Sequence, residues 1–135
     1  YRWLSSRSSR MENGTRSYSW IHVTGDTTQK RAYLTEGPLK GDIASYFANN
    51  ALFVCLGGVN AHKGLRETLL SLGVTEVMEA MDMDQFTNPQ VRQAILTLRR
   101  EVQAITGIRY YQCTWNPRFK GVDDYLLDWT KRKTA

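Results

Sequence analysis

Two aspartates, Asp82 and Asp84, flank a single methionine in the stretch "EAMDMDQ" (79–85), at the end of a mostly apolar run. In an extended chain, side chains two residues apart share a face, so this pattern places two carboxylates together at the mouth of a strand. Like charges held that close raise each other's pKa and cost stability unless a cation lies between them. The chemistry open to such a pair is therefore that of a bound cation. Mg²⁺ takes oxygen ligands, commonly one or two carboxylates with waters and substrate phosphates, and can clamp the oxygens of a transferring phosphoryl group.

Two further acidic positions follow strand-like segments. Glu36 comes directly after "RAYLT", and Asp123-Asp124 come after "IRYYQCTW" and a short loop. If the strands are parallel, all three stations lie along one edge, and a Glu36 not committed to metal could move a proton. Each station also has a plainer explanation. A D-x-D pair can be a turn, a cap or a solvated pair; Glu36 would suit the positive end of the following helix; Asp123-Asp124 could cap the last helix.

The elements that must position these groups are legible. "RAYLT" (31–35), "ALFVCL" (51–56), "TEVMEAM" (75–81) and "IRYYQCTW" (108–115) read as strands. Helices are expected over 38–48, with Pro38 at its first position and Leu39, Ile43, Tyr46 and Phe47 on one face, over 64–72, stopped by Gly73, and from Asp123 onward. The clearest helix is 88–106, with Asn88 as cap, Pro89 in the first turn, a stripe of Val91, Ala94, Ile95, Leu98, Val102 and Ile105, and Gly107 as the stop. The alternation implies an α/β domain, a four-stranded mainly parallel sheet with helices on both faces, whose working groups gather beyond the carboxyl ends of the strands. Residues 1–30 read differently, as an N-terminal β-ribbon turned at Asn13-Gly14. The expected organisation is thus a ribbon over 1–30 and one domain over 31–135.

Composition bounds the rest. At 135 residues, 41% hydrophobic and 23% charged, the chain has the usage of one soluble globular domain. No apolar run approaches the roughly 20 residues of a membrane span, and no apolar segment near the start resembles a signal peptide. A start without Met and an end at "TKRKTA" lead us to expect a fragment of a longer protein. Cys55 and Cys113 lie in strand segments without metal-ligand spacing and read as buried thiols of a reducing compartment, which suits the cytoplasm. The net charge of +5 is uneven: the first forty residues carry seven Lys/Arg against three Asp/Glu. A basic segment beside an acidic centre suits a polyanion held near a metal, although surplus Arg in a solvated hairpin would look the same.

In order and spacing, "LTEGPLKGDIA", "MDMD" and "KGVDDYL" resemble the three motifs of the Toprim domain, shared by bacterial-type primases, type IA and type II topoisomerases and OLD-type nucleases. More narrowly, "YRWLSS", "TEGPLKGDIA", "MDMD", "NP" and "KGVDDYL" resemble the Toprim-like domain of unknown function DUF3854, found in primase- and helicase-like proteins of plasmids, phages and conjugative elements. The wide resemblance covers residues 31–127, the narrow one nearly the whole chain. It implies a Toprim-like Rossmannoid fold and a Mg²⁺- or Mn²⁺-dependent module that acts on nucleic acid, DNA ahead of RNA, by primase-type nucleotidyl or phosphoryl transfer. Nucleoside triphosphate and primase or helicase domains of the same chain would be partners. By resemblance the general acid or base falls on Glu36, the metal ligands on Asp82 and Asp84 with Glu36 and Asp123, and the lysine of the last motif on Lys120, ahead of Asp123 and Asp124. The chain also departs from the pattern. Lys40 stands where many primases have an aspartate, with Asp42 two positions on; "QFTNP" lacks the glycine that often follows D-x-D; and Gly121 stands where an acidic ligand is common. Whether the domain is an enzyme is left open. A non-catalytic module binding metal and nucleic acid, and a Toprim nuclease, are the alternatives.

Other constellations carry less. "GGVNAHKG" lacks the Gly-Lys-Ser/Thr order of a Walker loop, yet Asn60, His62 or Lys63 could meet a phosphate, as could Lys40 and Lys120. His22 and His62 have no ligand partner at metal spacing, and no Ser/His/Asp triad is supported. Trp3, Trp20, Tyr110, Tyr111 and Trp115 could stack on bases or simply pack the sheet. A phospho-accepting aspartate of the receiver type would want a second acidic pair after the first strand, for which Glu36 alone is a poor substitute.

Overall fold

The computed structural model describes residues 13–14 and 19–134. The N-terminal ribbon expected over 1–30, with Trp3 and most of its arginines, therefore falls largely outside the described residues. Among the described residues, five strands, β1 (His22–Thr24), β2 (Arg31–Glu36), β3 (Phe53–Leu56), β4 (Glu76–Glu79) and β5 (Arg109–Gln112), form one sheet in the order β1-β3-β2-β4-β5. β2, β3, β4 and β5 pair in parallel, whereas β1 pairs antiparallel with β3, His22 opposite Cys55. The sheet is thus mixed and five-stranded, not four-stranded. The segment assigned to the ribbon supplies the fifth strand because β3 would otherwise leave a row of backbone groups unpaired.

Four helices flank this Rossmann-like sheet: α1 (Pro38–Phe47), α2 (Leu65–Ser71), α3 (Pro89–Gln103) and α4 (Val122–Thr134). α2 and α3 pack on one face and α1 and α4 on the other. Alternation along the strands then separates two cores. Leu34, Val54, Leu56 and Val77 pack with Leu65, Leu69, Ile95, Leu98 and Val102 of α2 and α3. Phe53, Cys55 and Ala80 pack on the other face with Ala44, Trp115 and Val122.

Local signals explain the boundaries. The Asn88 side chain accepts hydrogen bonds from the backbone N–H groups of Gln90 and Val91 (3.0 and 3.3 Å), and Pro89 occupies the first turn of α3. Gly37, at φ +89°, turns the chain from β2 into α1 in a conformation that disfavours any other residue. One helix face differs from expectation. Leu39 and Tyr46 of α1 are exposed, and the helix buries Gly41, Ala44 and Ser45 instead. The reason is closeness: a Cβ on Gly41 would lie 2.0 Å from Cys55 Sγ, so only small residues let α1 settle on β3.

Among the described residues, no helix is long and apolar enough to cross a membrane.

Candidate functional site: the acidic strand ends

The parallel strands run β3-β2-β4-β5, so successive connections leave β2 in opposite directions. In open α/β sheets the crevice beyond the carboxyl ends of the strands at such a reversal is where ligands bind. Here it lies beyond β2 and β4, and these strands deliver Glu36 and Asp82.

Glu36 is the last residue of β2 and half-buried. Past the end of β4, the Ala80 N–H donates to the Leu34 carbonyl (2.8 Å) and the buried Thr35 hydroxyl donates to the Ala80 carbonyl (3.0 Å). These bonds extend the β2–β4 pairing by one residue and bring Asp82 out beside Glu36. The chain then changes conformation. Asp82 is extended (φ −55°, ψ 143°), but Asp84 lies in the first turn of a 3₁₀ turn, Met83–Phe86. The two aspartates therefore do not meet as neighbours on one strand face, as the D-x-D spacing alone suggests. They meet through a shared cation. Lys120 Nζ lies 3.1 Å from Asp84 Oδ2 and 3.7 Å from Asp82 Oδ2, and the Met83 N–H donates to the Lys120 carbonyl (2.9 Å), which locks the two loops together.

A second lysine serves the same pair. Lys40, in the first turn of α1, donates to Asp82 Oδ1. The side chain of Asp123, in the first turn of α4, feels the charge of Lys40 as well. Burial, and then the neighbouring Asp124 carboxylate, push the Asp123 pKa upward against the opposing pull of Lys40. The Lys120 ammonium is held above its ordinary pKa by its hydrogen bond to Asp84, by the charges of Asp84 and Asp82 and, more weakly, by that of Glu36. Lys40 thus holds Asp82 and Lys120 bridges Asp82 and Asp84, while Glu36 and Asp123 act on these lysines as nearby charges.

Lys40 and Gly121 belong to one arrangement. A Cβ on the buried Gly121 would come 2.3 Å from Asp123 Oδ1 and 3.2 Å from Lys40 Cε. Glycine at 121 is what lets the Lys40 stem pass over the loop to Asp82. Asp42 lies outside this arrangement. It turns to His22, with His22 Nε2 2.8 Å from its Oδ1, and that hydrogen bond lowers its pKa.

Glu36, Asp82, Asp84 and Asp123 offer oxygen donors, the ligand type that hard divalent cations take. Asp123 Oδ1 is buried with no hydrogen-bond partner, a carboxylate oxygen that neither lysine satisfies. Among the described residues, no three Asp, Glu, His or Cys side chains converge as a ready-made metal group; the space between Asp82 and Asp84 is taken by ammonium groups. In donor type these residues suit a divalent cation, but with Lys40 on Asp82 and Lys120 across Asp82 and Asp84 they are not arranged around one.

The remaining sequence candidates lie elsewhere or are silent. Lys63 and His62 line a cavity with Glu101, Val102 and Ile105, and His62 Nδ1 is 2.9 Å from Glu101. Asp84 precedes the first turn of α3, whereas Glu101 is in its last. The 15 residues of α3, at about 1.5 Å each, put a helix length between the two places. Asn60 is exposed in the loop after β3. Trp115 is buried, its indole N–H bonded to the Phe119 carbonyl (2.9 Å), and packs as a core residue.

One cluster went unforeseen. Glu79 is fully buried on β4, and Arg99 of α3 donates to both its carboxylate oxygens (2.9–3.0 Å) while the Tyr110 hydroxyl also donates to it. The signal was available: Glu79 shares the inward phase of Val77, and Arg99 falls on the same α3 stripe as Ile95 and Val102. A carboxylate at a core position demands a cation.

No protein-family model matches this chain, and no curated protein matches it.

Proposed function

We propose that this domain is a Mg²⁺- or Mn²⁺-dependent Toprim-like module acting on nucleic-acid phosphates, by nucleotidyl or phosphoryl transfer of primase type, within a mobile-element replication protein. The observation that carries this reading is the pairing of Asp82 and Asp84 with Lys40 and Lys120, with Glu36 and Asp123 as nearby charges, at the topological reversal of a parallel run of strands. Asp82 and Asp84, with Asp123, would hold the divalent cation. When bound, that cation would neutralise charge on phosphoryl oxygens and orient them. Lys40 and Lys120, displaced from the carboxylates, are long enough to follow a phosphate and offset its charge. Among the described residues Glu36 pairs with no cation, and it would take up or return a proton in this reading.

The test is a Mg²⁺ and Mn²⁺ titration followed by backbone amide NMR, on the wild type and on Asp82→Asn/Asp84→Asn. Saturable shifts centred on Glu36, Asp82, Asp84 and Asp123 that vanish in the variant are expected. Silence at millimolar metal, both with and without a single-stranded oligonucleotide, would overturn the reading. Shifts and tight oligonucleotide binding without turnover would mark a metal- and nucleic-acid-binding module, and strand scission would mark a nuclease.

A further inference from the structure

The 3₁₀ turn that carries Asp84 faces two ways. With about three residues per turn, consecutive side chains diverge widely. Asp84 goes to Lys120, whereas Gln85 turns inward and is only 3% exposed. It opens onto a cavity of about 160 Å³ lined by Gln85, Phe86, Arg92, Leu96, Arg99 and Gln112. Gln112 Nε2 donates to Gln85 Oε1 (3.2 Å). Gln85 Nε2 has no hydrogen-bond partner among the described residues. A buried amide donor left without a partner costs free energy and calls for a specific explanation.

The chemistry of the lining selects a ligand class. Arg99 is the cation nearest the interior, but both carboxylate oxygens of Glu79 already hold its charge. The interior is therefore neutral and hydrogen-bonding, which suits an uncharged polar group better than a free anion. Leu96 and Ile95 add apolar wall, and Phe86, half-exposed at 53%, puts an aromatic ring at the rim beside the exposed Arg92. The volume is well below the roughly 300 Å³ at which pockets for drug-sized ligands begin, so the cavity suits one ring system and not a whole nucleotide.

We propose that this cavity receives a single unpaired nucleobase, whose polar edge meets the Gln85 amide and whose face lies against Phe86, while the phosphate attached to it is directed to Lys120 and the acidic strand ends. This inference rests on the proposed action on nucleic-acid phosphates. The base could belong to a strand or to a free nucleotide.

The test is fluorescence anisotropy of the 135-residue chain in Mg²⁺ with two labelled single-stranded hexamers, one bearing bases and one abasic with the same backbone. Wild type should bind the base-bearing hexamer at least tenfold more tightly. Gln85→Leu and the cavity-filling Leu96→Phe should each bring that ratio close to one while leaving the abasic affinity unchanged. Should Gln85→Leu fail to fold, Leu96→Phe and the NMR shift of the wild-type Gln85 side-chain amide still decide the matter. Equal binding of the two hexamers by wild type would overturn the base pocket and leave the phosphate-acting edge standing. A ratio that persists in Leu96→Phe, with no Gln85 amide shift, would likewise overturn it. No binding of either hexamer would overturn both. Competition by nucleoside 5′-monophosphates at similar affinity would identify the free nucleotide as the source of the base, and its absence the strand.

Discussion

The aliphatic end of Lys40 lies directly over Gly121, with its Cε 3.2 Å from where a Cβ on that glycine would be. This contact joins the start of α1 to the loop before α4, and through it Lys40 reaches Asp82 while Asp123 comes in beneath. Lys40 and Gly121 are a matched pair, a long cation and a residue without a side chain that makes room for it.

Gly121→Ala should therefore disturb the site more than the fold. Its Cβ would lie 2.3 Å from Asp123 Oδ1 and displace that carboxylate. Overpacking typically costs 1–3 kcal/mol, and because a half-buried side chain can yield, a loss of about 1 kcal/mol is expected in urea unfolding. Metal affinity, read by the same NMR titration, should fall at least tenfold. Unchanged metal affinity would show that Asp123 is not a ligand.

Lys120→Met separates the two functions of the lysine. Removing the ammonium that bridges Asp82 and Asp84 frees the carboxylates, so Mg²⁺ should bind more tightly, by several-fold in calorimetry. Oligonucleotide binding should weaken, and its dependence on log salt should become shallower by about 0.7, the contribution of one phosphate contact on a single strand. A steeper slope or weaker Mg²⁺ binding would contradict this role.

Arg99→Met should be strongly destabilising. It strands the fully buried Glu79 without its counter-ion, and breaking a buried pair from one side costs roughly 3–5 kcal/mol. Replacing the cluster together, with Glu79→Leu, Arg99→Met and Tyr110→Phe, should recover most of that loss in chemical denaturation. A triple variant no more stable than the single one would show that packing, not charge, holds this part of the core.

Acid should weaken the opposite end of the sheet. The Arg31 guanidinium, hydrogen-bonded to Glu76 at 2.7 Å, holds the Glu76 pKa below its ordinary 4.5 against a smaller opposing effect of burial, and the charges of Arg31 and Arg109 lower it further. A carboxylate whose folded pKa is depressed contributes stability that is complete above the unfolded value and is lost as pH falls through the folded one. Wild type should thus lose stability on acidification below about pH 4.5, and Glu76→Gln should show a shallower acid limb in thermal melts at pH 2–7. Parallel limbs would assign the acid sensitivity to other carboxylates.

The order of strands and helices was open to reading because each element declares itself locally. The cap and stripe of α3, the unbroken apolar run of β3 and the glycine turn before α1 need no distant partner to be recognised. The parallel arrangement follows from that alternation, and with it the prediction that Glu36, Asp82 and Asp123 come out on one edge. What sequence could not decide depends on side chains from separate elements sharing space. The inward face of α1 is set by how closely it meets Cys55, not by its apolar residues. That Lys120 bridges Asp82 and Asp84 while Lys40 reaches Asp82 is a matter of loop packing around Gly121. The unpartnered amide of Gln85 exists only because the chain leaves the extended conformation one residue after Asp82. Local propensity determines the elements; contacts between residues distant in sequence determine which charges meet.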